Sequence, residues 1–202
     1  HFAMKANSAL GVLPLIGRLG GGMDIVSSGE LARAIAAGIK PSDVVFSGVG
    51  KTADEIRRAL ACGIGQINAE SPAEVAAISA VATEMNVIAP VALRVNVDVN
   101  PGTHAKISTG QHDTKFGIST SRHEASDLYK QLANDPHIDP SGLAVHIGSQ
   151  IRDMVPFEHA YSALLALAIK LRDAGLPVPN LDLGGGVGVD YTTAGPTDFS
   201  EY

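Results

Sequence analysis

Tryptophan is absent, cysteine occurs once, and aromatic residues make up only 4% of the 202 residues. A lone Cys62 cannot close an intramolecular disulfide, and no Cys/His spacing resembles a zinc site, so no metal centre is expected and a reducing, cytoplasmic compartment suits the chain. Cys62 itself is expected as buried filler at a helix end. No run of about 18 apolar residues occurs, which argues against a membrane-spanning helix. Lys and Arg number 15 against 21 Asp and Glu, a formal charge of −6, and the basic residues do not cluster. That balance disfavours nucleic acid and anionic lipid as partners and leaves a small molecule. An initiating methionine and a signal-peptide pattern are also lacking, so a segment upstream of residue 1 is expected.

What the chain does contain is a 45% hydrophobic composition with 22 glycines, arranged as short β-prone runs alternating with longer helical patterns. Strands are predicted over 2–5, 23–27, 44–48, 66–70, 91–96, 143–149 and 181–184. Helices are predicted over 53–61, 73–85 and 157–174, the last with Phe157, Tyr161, Leu164, Leu165, Ala168 and Leu171 along one face. Ser27-x-x-Glu30, Thr52-x-x-Glu55, Ser71-x-x-Glu74 and Ser121-x-x-Glu124 read as capping boxes at helix starts, with Pro72 suited to a first helical position. Strand starts recur at intervals of roughly 21 residues over the first four units, the spacing of βα modules on a parallel sheet. A doubly wound nucleotide fold would need a Gly-x-Gly-x-x-Gly turn after its first strand, and Lys5-Ala6-Asn7 supplies none. The fold class expected is therefore α/β, a (β/α)8 TIM-type barrel that reaches only its seventh strand by residue 202. The irregular connection 97–114 is expected to hang over the C-terminal strand ends, where barrel sites gather.

Four features at those strand ends carry chemistry. Lys5 follows a short apolar run. Read alone it is a surface lysine; held at an apolar mouth, its poorly solvated amine becomes a nucleophile able to form a Schiff base. The turn Gly184-Gly185-Gly186 follows the seventh strand and is either a phosphate cradle of backbone N–H groups or a plain tight turn. Gly20-Gly21-Gly22 precedes a strand, so a plain turn is the better reading there. His146 ends the sixth strand, opposite in direction to Val145 and Ile147; it is either a structural histidine or a ring that stacks on an aromatic ligand while Ser149 bonds a phosphate. Arg94 is a charge in an apolar strand that must be paired or liganded, with Asp24 as the nearest analogous acid.

A strand-end lysine, a stacking histidine, a buried arginine and a glycine turn together fit pyridoxal 5′-phosphate. Several stretches strengthen this: Phe2-Ala3-Met4-Lys5-Ala6-Asn7, Asp24-Ile25-Val26-Ser27-Ser28-Gly29-Glu30-Leu31, Phe46-Ser47-Gly48-Val49-Gly50-Lys51-Thr52, residues 104–110 with Lys115-Phe116-Gly117, His146-Ile147-Gly148-Ser149-Gln150, and Leu181-Asp182-Leu183-Gly184-Gly185-Gly186. On these the chain resembles the barrel domain of the fold-type III pyridoxal-phosphate-dependent decarboxylases, most closely the diaminopimelate branch. The resemblance implies decarboxylation of meso-2,6-diaminopimelate to L-lysine, with Lys5 carrying the cofactor and His146 against its ring. Ser149, Gly184, Gly185 and Gly186 would then take the phosphate, Asp24 would join the cofactor site, and Arg94 would lie near the ring oxygen. It also implies an eighth strand with an acidic partner for the pyridine nitrogen, a C-terminal β domain and a homodimer, none of them within residues 1–202. Ornithine, arginine or carboxynorspermidine decarboxylases, and a non-catalytic cofactor-binding or interaction module, are the alternatives.

Overall fold

The computed structural model describes residues 1–99, 116–120, 123–189, 191, 200 and 202. Residues 104–110, Lys115, most of the 97–114 connection and Ser121 of the fourth capping box lie outside the described residues. The strands are β1 (Phe2–Ala3), β2 (Met23–Ile25), β3 (Val44–Phe46), β4 (Gln66–Ala69), β5 (Ala89–Asn96), β6 (Ile118–Ser119), β7 (Ile138–Ala144) and β8 (Asn180–Asp182). The helices are α1 (Leu13–Arg18), α2 (Ser28–Ala36), α3 (Ala53–Cys62), α4 (Pro72–Met85), α5 (Glu124–Ala133) and α6 (Val155–Asp173). The sheet order is β1-β2-β3-β4-β5-β7-β8, with β6 paired to β5. Two compact units divide the chain, His1–Ala92 with Gln131–Ser141 and Leu93–Lys130 with Gly142–Tyr202.

In the first unit, β1, β2 and β3 run parallel in close register, Ala3 opposite Asp24 and Asp24 opposite Val45. Val44, Val45 and Phe46 of β3 are all buried, as expected of a strand covered on both faces. Met4, Met23, Ile25, Phe46, Ile56, Ile67 and Ile78 are fully buried and form much of its core. The helices begin where the hydroxyl and carboxylate signals place them. Ser27, Thr52 and Ser71 each accept the backbone N–H of the glutamate three residues on. Only Thr52 and Glu55 close the reciprocal box; Glu30 and Glu74 reach one residue further back, to the N–H groups of Val26 and Glu70. Cys62 is exposed rather than buried. As the last residue of α3 it lies about 200° around the helix from buried Leu60, on the side facing water.

Glu55 also joins two modules, since its carboxylate accepts N–H bonds from Ser28 at 3.0 Å and Thr52 at 3.1 Å. The Ser28 N–H first, then that of Thr52, hold Glu55 below its ordinary pKa of 4.5. A carboxyl whose pKa is depressed by folding contributes stability above its unfolded pKa and loses it as pH falls through the folded value. Glu55→Gln is therefore expected to cost about 1 kcal/mol at neutral pH, with the gap to the unsubstituted protein closing below about pH 4.5. Acid titration of both by circular dichroism checks it; a gap independent of pH would contradict the assignment.

In the second unit, β7 pairs parallel with β8 through Gly142–Asn180, Leu143–Leu181 and Ala144–Asp182. Helix α6 buries Phe157, Ala160, Leu164, Ala168 and Leu171. Leu165, expected on that face, is 47% exposed, because the true stripe steps 157, 160, 164, 168, 171 at three- and four-residue intervals and leaves 165 beside it. Strand β7 starts and stops five residues before the predicted 143–149. Among the described residues, no helix is long and apolar enough to cross a membrane.

Candidate functional site

The residues singled out above are divided between the two units, Lys5 and Asp24 in the first and Arg94, His146, Ser149 and the glycine turn in the second. In the first unit, β1 ends at Ala3 and Lys5 lies two residues beyond it, in a 3-10 turn of Met4–Ala6. The predicted strand end at Lys5 is thus a turn instead. Met4 is buried and anchors the turn, while Lys5 is exposed. Its ammonium has no hydrogen-bond or ion-pair partner among the described residues. Asp24 stands in the middle of β2, beside Ala3 in register, and alternates with fully buried Met23 and Ile25. The strand pleat therefore turns Asp24 to the side opposite those two.

Lys51, quoted in sequence only as part of a matching stretch, occupies a very different setting. Its Nζ donates to the carbonyls of Gly48 at 2.6 Å and Asn68 at 2.7 Å and to Glu74 Oε1 at 2.9 Å. The side chain is 1% exposed, and the ammonium lies 5.5 Å from the Phe46 ring centroid. Glu74 Oε2 accepts the Glu70 N–H, and Glu70 Oε1 accepts the Gly48 N–H at 2.8 Å. The turns after β3 and β4 are welded together by this network. Its only signal in the sequence is the capping-box glutamate Glu74, which does not by itself reveal burial.

In the second unit the glycine turn folds around His146. The strand ends at Ala144, so His146 lies two residues past it, partly exposed between buried Val145 and Ile147 as the alternation predicts. A Cβ on Gly184 would fall 2.4 Å from the Val145 carbonyl oxygen and 3.1 Å from His146 Cβ. One on Gly186 would fall 1.9 Å from the Gly148 oxygen and 3.4 Å from His146 Cε1. Both glycines have positive φ, 73° and 108°, so no other residue type lets this turn approach the histidine so closely. Gly185 has open space around its would-be Cβ, and its N–H points to His146 Nδ1 at 3.4 Å.

The three N–H groups of the turn are not equivalent. That of Gly184 is taken by Asp182 Oδ1 at 3.0 Å, that of Gly185 by the long contact to His146, and that of Gly186 has no acceptor among the described residues. The loops after β7 and β8 are zipped by Ile151 N–H to Gly186 O and Gly188 N–H to Ile151 O, which leaves Ser149 exposed at the bend. The Gly184 carbonyl accepts the Tyr202 hydroxyl at 3.4 Å, and the Tyr161 hydroxyl donates to that of Tyr202 at 2.9 Å. Burial, and then the Tyr202 contacts, push the Tyr161 hydroxyl well above its ordinary range, so it remains protonated as a donor.

Arg94, near the end of β5, is 9% exposed. Its Nη2 contacts the His146 carbonyl at 3.4 Å, and its guanidinium carbon lies 5.2 Å from the Phe116 ring centroid. The second unit thus brings Arg94, His146 and the glycine turn together, with Ser149 on the adjoining bend. An open amide and hydroxyl beside an imidazole and a guanidinium form a donor set that fits a phosphate-bearing aromatic ligand. The exposed amine of Lys5, in the other unit, suits a ligand carbonyl. Among the described residues no group of three His, Cys, Asp or Glu is placed to hold a metal ion.

Comparison with known proteins agrees with this chemistry. Residues 1–202 match the family model described as "Pyridoxal-dependent decarboxylase, pyridoxal binding domain". The chain is 50% identical over 190 residues to the diaminopimelate decarboxylase of Zymomonas mobilis, covering 94% of this chain and 45% of that protein. It is 49% identical over 201 residues to that of Pseudomonas aeruginosa, covering 100% and 48%. Among solved structures, diaminopimelate decarboxylase from Helicobacter pylori complexed with L-lysine superimposes with a TM-score of 0.95 at 37% identity, over 100% of this chain and 50% of that one. The chain spans about half the length of the curated relatives it matches.

Proposed function

Because this chain belongs to the pyridoxal-dependent decarboxylase family and has the fold of its TIM-barrel cofactor domain, we propose that it forms the cofactor side of an enzyme that decarboxylates meso-2,6-diaminopimelate to L-lysine and carbon dioxide. The observation that carries the reading is the glycine turn folded around His146, on a chain whose near relatives are diaminopimelate decarboxylases. In this reading the Gly185 and Gly186 N–H groups and the Ser149 hydroxyl take the phosphate. Gly184, whose own N–H is engaged by Asp182, contributes by letting the turn close. His146 packs against the pyridine ring, Arg94 faces the ring oxygen, and Asp24 adds a carboxylate on the cofactor side.

Lys5, whose Nζ is exposed on the turn after β1, would hold the cofactor through its amine. Bound pyridoxal phosphate supplies the electron sink for the pair left on the α-carbon when carbon dioxide departs. The residues around it orient the ring and exclude water from one face. We further propose that the whole protein is a cytoplasmic homodimer, a reading supported by the single cysteine and the family resemblance.

Substrate choice is tested on the whole protein with meso-diaminopimelate, ornithine and arginine. Release of carbon dioxide from meso-diaminopimelate is expected to exceed the others by at least about a hundredfold in kcat/KM, since a site built to bond one polar group strongly rejects analogues lacking it. Faster release from ornithine or arginine would overturn the substrate while leaving the cofactor reading in place.

A further inference from the structure

The contact between Arg94 and Phe116 joins two elements for which the proposed mechanism gives only one a task. Arg94 is almost fully buried on β5, and a guanidinium in that position must have its charge and plane defined by neighbours. One neighbour is the His146 carbonyl oxygen, 3.4 Å from Nη2. Another is the Phe116 ring, 5.2 Å from the guanidinium carbon, within the range of a cation–π contact. Phe116 is held there by the residue after it. Gly117 has a φ of 76°, and a Cβ on it would stand 3.1 Å from Asn96 N and 3.2 Å from the Arg94 carbonyl oxygen. The next two residues, Ile118 and Ser119, pair parallel with Val95 and Asn96. The chain thus turns back onto β5 directly beside Arg94, and that geometry sets the ring over the guanidinium.

We infer that Phe116 is a positioning residue for Arg94, covering its guanidinium with an aromatic face and so fixing the orientation in which the arginine meets the ring-oxygen side of the cofactor. The inference rests on the reading of Arg94 given under the proposed function. An aromatic ring suits this task better than an aliphatic side chain of similar bulk, because its negative face attracts the cation as well as excluding water from it.

The test measures the dissociation constant of pyridoxal 5′-phosphate from the cofactor-free whole protein by absorbance titration. It compares the unsubstituted protein, Phe116→Tyr, Phe116→Leu, Arg94→Met and the double variant Phe116→Leu with Arg94→Met. Phe116→Leu is expected to weaken cofactor binding by about two- to thirty-fold, the range a desolvated cation–π contact spans, and Phe116→Tyr, which keeps the ring face, to bind within about twofold of the unsubstituted protein. In the Arg94→Met background Phe116→Leu should have no further effect, because the partner through which it acts is gone. A loss of the same size in both backgrounds, or no loss from Phe116→Leu alone, would overturn the inference and leave Arg94 at the cofactor. No change from Arg94→Met would instead overturn the reading of Arg94, and the inference with it. If Phe116→Leu unfolds the protein, Phe116→Met is titrated in its place against the same outcomes.

Discussion

Replacing Lys5 with alanine in the whole protein is expected to lower turnover by on the order of a thousandfold or more, the scale lost when a group that handles the reacting bonds directly is removed. Among the described residues, Lys5 and Lys51 both lie just after parallel strands, and their surroundings separate them. The Lys51 ammonium is engaged by two carbonyls and a carboxylate, and its side chain is 1% exposed. All three of its N–H donors are engaged, so reaction at Nζ would break the whole network. Lys5 is exposed, on a turn anchored by buried Met4, with no partner among the described residues. Borohydride reduction of the cofactor-loaded protein, followed by peptide mapping, should therefore fix the label on the peptide containing Lys5. Label on Lys51 or any other lysine, with Lys5 unmodified, would refute the assignment whatever the activity of Lys5→Ala.

Much of this contrast was beyond the reach of the sequence. The βα period, the parallel sheet and the helix starts at Ser27, Thr52 and Ser71 are encoded locally, in apolar runs and in the Ser or Thr three residues before a glutamate, and they appear where expected. Strand ends are less legible. Apolar alternation continues through Val145 and Ile147 because both are buried beyond the strand. The true start of β7, Ile138-Asp139-Pro140-Ser141, is disguised by polar residues and a proline. At the site, the glycine turn and His146 could be read as partners because they close adjacent predicted strands. What the turn does with each N–H could not, since the Asp182 carboxylate that engages Gly184 is set by geometry over two residues. Phe116 was visible only as part of a matching stretch, for a cation–π contact across more than twenty residues leaves no periodic trace.

Lys51→Met is expected to destabilise the protein by about 3–5 kcal/mol, the cost of removing one partner from a buried ion pair. The substitution would leave the Glu74 carboxylate, on a side chain 9% exposed, facing the Gly48 and Asn68 carbonyls with no cation between them. Three sets of lone pairs would then converge on an apolar methionine beside Phe46. Because Glu74 also accepts the Glu70 N–H, and Glu70 the Gly48 N–H, the damage would spread to both turns at the ends of β3 and β4. Denaturant unfolding of the whole protein measures the loss. Pairing the change with Glu74→Leu removes the orphaned charge together with its cation, and desolvating neither should recover a large part of it. A single variant within about 1 kcal/mol of the unsubstituted protein would place the pair among exposed salt bridges of little worth, and the weld between the two turns would have to be assigned to Glu70 alone.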